Sequence, residues 1–117
     1  MADATFRHGD PIMVDYTPAS GNIAAGQVVL VGNTAGWTCG IAHVDIANAT
    51  LGALAAGGGV YLCTNLDNAA TGAAVWWDDS ANKVTTTSTN NALFGFVVGS
   101  GGGGANTNCY VLHKPYV

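Results

Sequence analysis

Three histidines, three cysteines and seven aspartates are the residues of this 117-residue chain that could carry acid–base, nucleophilic or metal chemistry. His8, His43 and His113 are far apart and form neither H-E-x-x-H nor H-x₃₋₅-H, the spacings that present two ligands together. They read as solvated or core histidines. Folding could still bring two of them near a cysteine, which keeps a small hydrolase or metal enzyme as the least favoured reading. Cys39, Cys63 and Cys109 are odd in number and lack C-x-x-C spacing, so they read as buried, reduced thiols of a chain that folds in a reducing cytoplasm. Asp78 and Asp79 are adjacent. On a strand they would face opposite ways, which is wrong for a catalytic pair; in a turn they would cap backbone amides. No serine lies in G-x-S-x-G. Gly101–Gly104 are followed by Ala105 and Asn106, not by the Lys-Ser/Thr of a phosphate loop. The reading is therefore of a protein that is not an enzyme, with no cofactor and no metal.

The distinctive residues are aromatic. Trp76 and Trp77 are consecutive, and on a strand one must face each way. Val75 and Trp77 are expected to enter the core. Trp76 then faces outward as a contact residue or is hidden by a covering loop. A tryptophan in solvent, Trp76 or Trp37, could also stack on a sugar ring.

The elements that must position these residues are strands. Glutamate is absent, good helix formers are few, and glycine interrupts nearly every ten-residue window. Short apolar or alternating runs recur: Ile12-Val14-Tyr16 with period two, Gln27–Val31, Trp37–Val44, Leu51–Ala55, Val60–Cys63, Ala74–Asp78, Lys83–Thr87, Leu93–Val98 and Cys109–Leu112. Asp78–Asn82 reads as the turn of a hairpin. Such spacing predicts an all-β fold, a compact β-sandwich or barrel of short antiparallel strands. The chain reads as a single domain over residues 1–117, with residues 1–8 as an N-terminal arm and 99–107 as a flexible glycine-rich loop.

Charged residues are 9 % of the chain, the formal net charge is −4, and Arg7, Lys83 and Lys114 are the only fixed cations. That balance excludes nucleic acid as a partner, because neutralising phosphates takes many cations. It also leaves the chain too apolar for disorder. The longest apolar-leaning stretch, Gly40–Cys63, is broken by His43, Asp45 and Asn48, so no membrane span is expected. The start of the chain lacks the basic and apolar regions of a secretory signal.

At the hairpin a resemblance enters. Gly72–Asp78 (GAAVWWD), Lys83–Thr87 (KVTTT) and Asn91–Phe96 (NALFGF) are similar to a family of small phage proteins, the capsid cement or head decoration proteins. Phe6–Met13, Ala24–Gly32 and Gly40–Ala42 are similar too. Some members of that family carry a phage recombinase label; this chain has neither the nucleotide loop nor the basic stripe that label needs. The resemblance implies a structural protein of the virion, located on the capsid exterior after assembly in the bacterial host cytoplasm. It would bind the major capsid protein, associate with itself as a homotrimer, and stabilise the head. Thr5, Phe6, Arg7, His8 and Trp76 are the candidate capsid contacts. The run Thr5–His8 includes an aromatic and an arginine, types enriched at interfaces. The alternative is a surface-displayed β-sandwich that binds carbohydrate or serves adhesion.

Overall fold

The computed structural model describes residues 3–32 and 38–116. Ten strands occur among them and no helix: β1 (Ala4–His8), β2 (Met13–Tyr16), β3 (Val28–Val31), β4 (Thr38–Ala42), β5 (Gly52–Ala55), β6 (Val60–Asn65), β7 (Ala74–Asp78), β8 (Lys83–Thr85), β9 (Ala92–Gly99) and β10 (Thr107–His113). They form two antiparallel sheets. The larger has the order β1-β6-β10-β9-β7-β8, and the smaller β2-β5-β4-β3. The larger sheet curls until β8 meets β6 again through a parallel bridge between Asn65 and Val84. The fold is thus the expected all-β class, part barrel and part sandwich.

The core fills the curl. Tyr61, Cys63, Val75, Trp77, Phe94, Val97, Cys109 and Val111 point inward from the larger sheet, and Val28, Cys39, Ile41 and Ala55 meet them from the smaller one. The smaller sheet is apolar on its other face as well. There Val29, Ala42 and Leu54 are covered by Ile46, which bridges to Ile23. Burial on both faces explains why β4 reads as an unbroken apolar run and not as an alternation.

One connection between the sheets is itself regular. β1 pairs with β6 and β2 with β5, both antiparallel. Between them Ile12 N donates to Gly57 O and Ala56 N to Ile12 O. Residues 4–16 and 52–65 therefore make one ribbon that bends from one sheet into the other. The bend lies at Gly57–Gly59. Gly58 and Gly59 adopt left-handed backbone (φ 82° and 84°), and a Cβ on Gly58 would stand 3.2 Å from Asp10 O.

Several expectations change here. Residues 4–8 of the segment read as an arm are strand β1, held on β6. β2 forms as the period-two pattern requires, but of its apolar residues only Tyr16 packs inward, on the cluster of Val29, Ala42, Ile46 and Leu54: Ile12, just before the strand, is 63 % exposed, and Met13 and Val14 are also exposed. The reason is position, since β2 is the edge of its sheet. The run Lys83–Thr87 yields strand only to Thr85, where Asp67 takes over the backbone of Thr86. The loop after Gly99, read as flexible, is bonded to the 68–71 turn: Gly101 N to Thr71 Oγ1, Gly102 N to Ala69 O, and Gly104 N to Asn68 Oδ1. Trp37 and the start of its run lie outside the described residues.

Candidate functional site

The outward face of the larger sheet is built by strands that are apolar in both phases. Along β6, Val60, Leu62 and Thr64 alternate with buried Tyr61, Cys63 and Asn65. Along β10, Tyr110 and Leu112 alternate with buried Cys109, Val111 and His113. Leu93 and Phe96 of β9 and Trp76 of β7 are likewise half-buried and point outward. Residues opposite one another in an antiparallel pair share a face. The pairs Leu62–Tyr110, Val60–Leu112, Leu112–Phe96 and Trp76–Leu93 therefore place these side chains on one outward surface. No charged residue lies on it in β6, β10 or β9; Asp78 and Lys83 stand only at its rim.

Four of the five candidate contacts meet this face. Thr5 is opposite Leu62 and His8 opposite Val60. The register shifts between Phe6 and His8. That extra residue turns both Arg7 and His8 outward, where alternation alone would have divided them. The Arg7 guanidinium lies over the Tyr110 ring, 5.5 Å from its centroid, a cation–π contact. Trp76 joins from the far side of the sheet. Phe6 goes the other way: its ring packs on His43 and Tyr61 at 4.9 and 5.5 Å between centroids. Of the tryptophan pair, Val75 and Trp77 are fully buried, as expected, while Trp76 is only half-exposed. Leu62, Tyr110, Leu112, Phe96 and Leu93 were not among the candidates. Their signal was present in the large apolar residues at both phases of Val60–Thr64 and Cys109–Leu112.

The groups that could do chemistry are used elsewhere in the fold. His43 Nε2 and Tyr61 Oη share a 2.7 Å hydrogen bond, and the Tyr61 ring meets His113 edge-on. His113 Nε2 lies 2.9 Å from Cys39 O. A carbonyl only accepts, so Nε2 carries the proton and Nδ1 keeps its lone pair, buried and without a partner. Burial lowers the His113 pKa to about 4. Cys39, Cys63 and Cys109 are free and buried. Burial raises Cys39 to about 12 and Cys109 to about 11, which keeps these thiols protonated and inert.

A cleft of about 690 Å³ between β7–β8 and the 87–91 segment is lined by Asp67, Asp78 and Asp79. Each carboxylate braces its own chain. Asp67 accepts from Thr85 Oγ1 (2.6 Å), Thr86 Oγ1 and Thr86 N; burial opposes its ionisation, but these bonds together hold it below the usual carboxylate range. Asp78 accepts from the Ser80 hydroxyl at 2.7 Å and from the Ser80 and Ala81 amides, which lower its pKa. Asp79 accepts from Trp77 Nε1. Among the described residues, no three His, Cys, Asp or Glu side chains are grouped to hold a metal ion, and no helix is long and apolar enough to cross a membrane.

The all-β body thus presents an apolar outward face, and Asp67, Asp78 and Asp79 accept hydrogen bonds from their own chain. Residues 6–112 match the family described as phage cement protein. The chain belongs to that family, a structural family of the phage capsid. No curated protein and no solved structure matches it.

Proposed function

We propose that this chain, acting as one domain, binds the exterior of the major capsid protein lattice and stabilises the phage head without catalysis. The observation that carries the reading, beside family membership, is the apolar outward face of the larger sheet, on which Thr5, Arg7, His8 and Trp76 converge; Phe6 contributes from the adjoining seam. A homotrimer suits this role. An icosahedral shell offers three-fold positions, so three identical faces could engage three capsid subunits at once. Weak single contacts then combine into firm attachment. Assembly takes place in the host cytoplasm, where the three buried thiols remain reduced.

Cryo-electron microscopy of purified heads tests the placement. Density for this chain is expected at every equivalent lattice point, with the β6-β10-β9 face against the shell. Heads made without the protein are expected to rupture at a lower temperature than complete heads. Absence of the chain from heads, or equal thermal tolerance, would overturn the corresponding half of the proposal.

A further inference from the structure

We infer that the hollow beside Arg7, on the outward face of the larger sheet, receives an acidic side chain of the major capsid protein; the inference rests on the capsid reading above. The hollow has a volume of about 250 Å³ and is lined by Arg7, His8, Val60, Val98, Gly99 and Tyr110. β1, β6, β10 and the end of β9 all reach it. Two irregularities shape it. One is the register shift between Phe6 and His8, which turns Arg7 toward Tyr110. The other is the shift between Tyr110 and Val111, whose partners are Gly99 and Val97, so that Val98 is left over and exposed. Bulges of this kind re-aim side chains. Gly99 stands opposite Tyr110 and puts no side chain beside its ring; a Cβ there would lie 3.5 Å from Tyr110 Cδ2. The floor is apolar, and the guanidinium is held over it.

The charge of the site selects the occupant. Among the described residues no carboxylate lines the hollow, although the chain carries seven aspartates. The cation–π contact with Tyr110 orients the charge. It leaves the planar N–H fork for a carboxylate, the group that fork matches with two parallel hydrogen bonds. In the free protein, water solvates this exposed side chain. Seating the face on the shell removes that water, and a buried cation then needs a counter-charge. The rest of the face offers none. β6, β10 and β9 carry no charged residue on it, and Asp78 at its rim is held by Ser80 and Ala81. The counter-charge therefore comes from the capsid subunit. A second copy laid face to face would bring no free carboxylate, only another Arg7.

The test uses heads purified without the protein, to which the full chain is added. Wild-type chain should bind, and added salt should weaken the binding. Arg7→Met keeps a long apolar stem for Tyr110 and removes the charge. It should lower occupancy at least tenfold and remove most of the salt dependence, with thermal unfolding of the isolated protein little changed. Arg7→Lys, which keeps the charge but not the fork, should fall between the two. Cryo-electron microscopy of the wild-type complex should show a capsid Asp or Glu carboxylate within hydrogen-bond distance of the Arg7 guanidinium. If wild-type chain binds but Arg7→Met binds equally well, or an uncharged capsid group faces Arg7, the acidic anchor is wrong while the capsid reading stands. If Arg7→Met instead dissociates an oligomer of the isolated protein, the carboxylate belongs to a second copy and the proposal is overturned. Failure of wild-type chain to bind heads would overturn the capsid reading together with it.

Discussion

His113 is enclosed by Tyr61 and Phe94 and spends its one ring proton on Cys39 O. Its folded pKa of about 4 lies below the ordinary 6.5 because burial penalises the imidazolium. The unfolded chain therefore takes up a proton first as the solution is acidified. The stabilisation from keeping His113 neutral is complete above pH 6.5 and is lost as pH falls toward 4, by up to about 3 kcal/mol. His43, also lowered by burial, acts in the same direction. Urea midpoints measured between pH 7 and 4 should fall, and His113→Gln, which retains a donor for Cys39 O, should flatten that dependence. Gly95 gives a second test at this scale. A Cβ there would stand 1.8 Å from Leu112 O, in the ladder between β9 and β10. Gly95→Ala should cost roughly 3 kcal/mol or more, read as a fall in the denaturation midpoint, because backbone cannot yield as a side chain can.

Among the elements, the β1–β2 ribbon against β5–β6 is the least local. Its corner needs left-handed backbone at Gly58, and Asp10 O crowds that position. Gly58→Ala should destabilise by about 1–2 kcal/mol, visible as a lower Tm. The β7–β8 hairpin was legible in sequence because its information is local: Asp78 caps Ser80 and Ala81, Asn82 takes φ 56°, and alternation fixes Val75 and Trp77 as the inner pair. β1 was not legible as a strand, because its partner β6 lies more than fifty residues away and five residues of mixed polarity carry no period of their own. The alternation of β2 showed a strand but not its burial, which depends on whether another strand covers its far side. The candidate face was legible only in part for the same reason. Thr5 and Trp76 share a surface through the order β1-β6-β10-β9-β7, and no spacing in the chain encodes that order. The direction of Arg7 depends on a one-residue register shift, which the residue types do not announce.

For the whole molecule, the separation of charge from the outward face is the organising fact. With a net charge of −4 and seven aspartates, the chain nevertheless leaves β6, β10 and β9 free of charge on that face. Apolar contact there would be formed by burying Tyr110, Leu112 and Phe96, so a single acid at the centre should be felt chiefly in assembly. Leu112→Glu, at a half-buried position between Val60 and Phe96, should lower the isolated protein's unfolding free energy by about 1–2 kcal/mol and leave it folded. It should reduce occupancy on heads at least tenfold, measured by quantitative gel analysis of sedimented particles, because a carboxylate would then be desolvated without a partner.

The continuous ribbon also decides how a tug would be carried. Cross-strand hydrogen bonds in an antiparallel pair run perpendicular to the strands. Tension applied along residues 4–16 therefore shears many of those bonds together, where a peeling force would open them singly. Because the same two chain segments, 4–16 and 52–65, run through both sheets, strain entering at either layer passes round the glycine bend into the other, and the body resists as one piece.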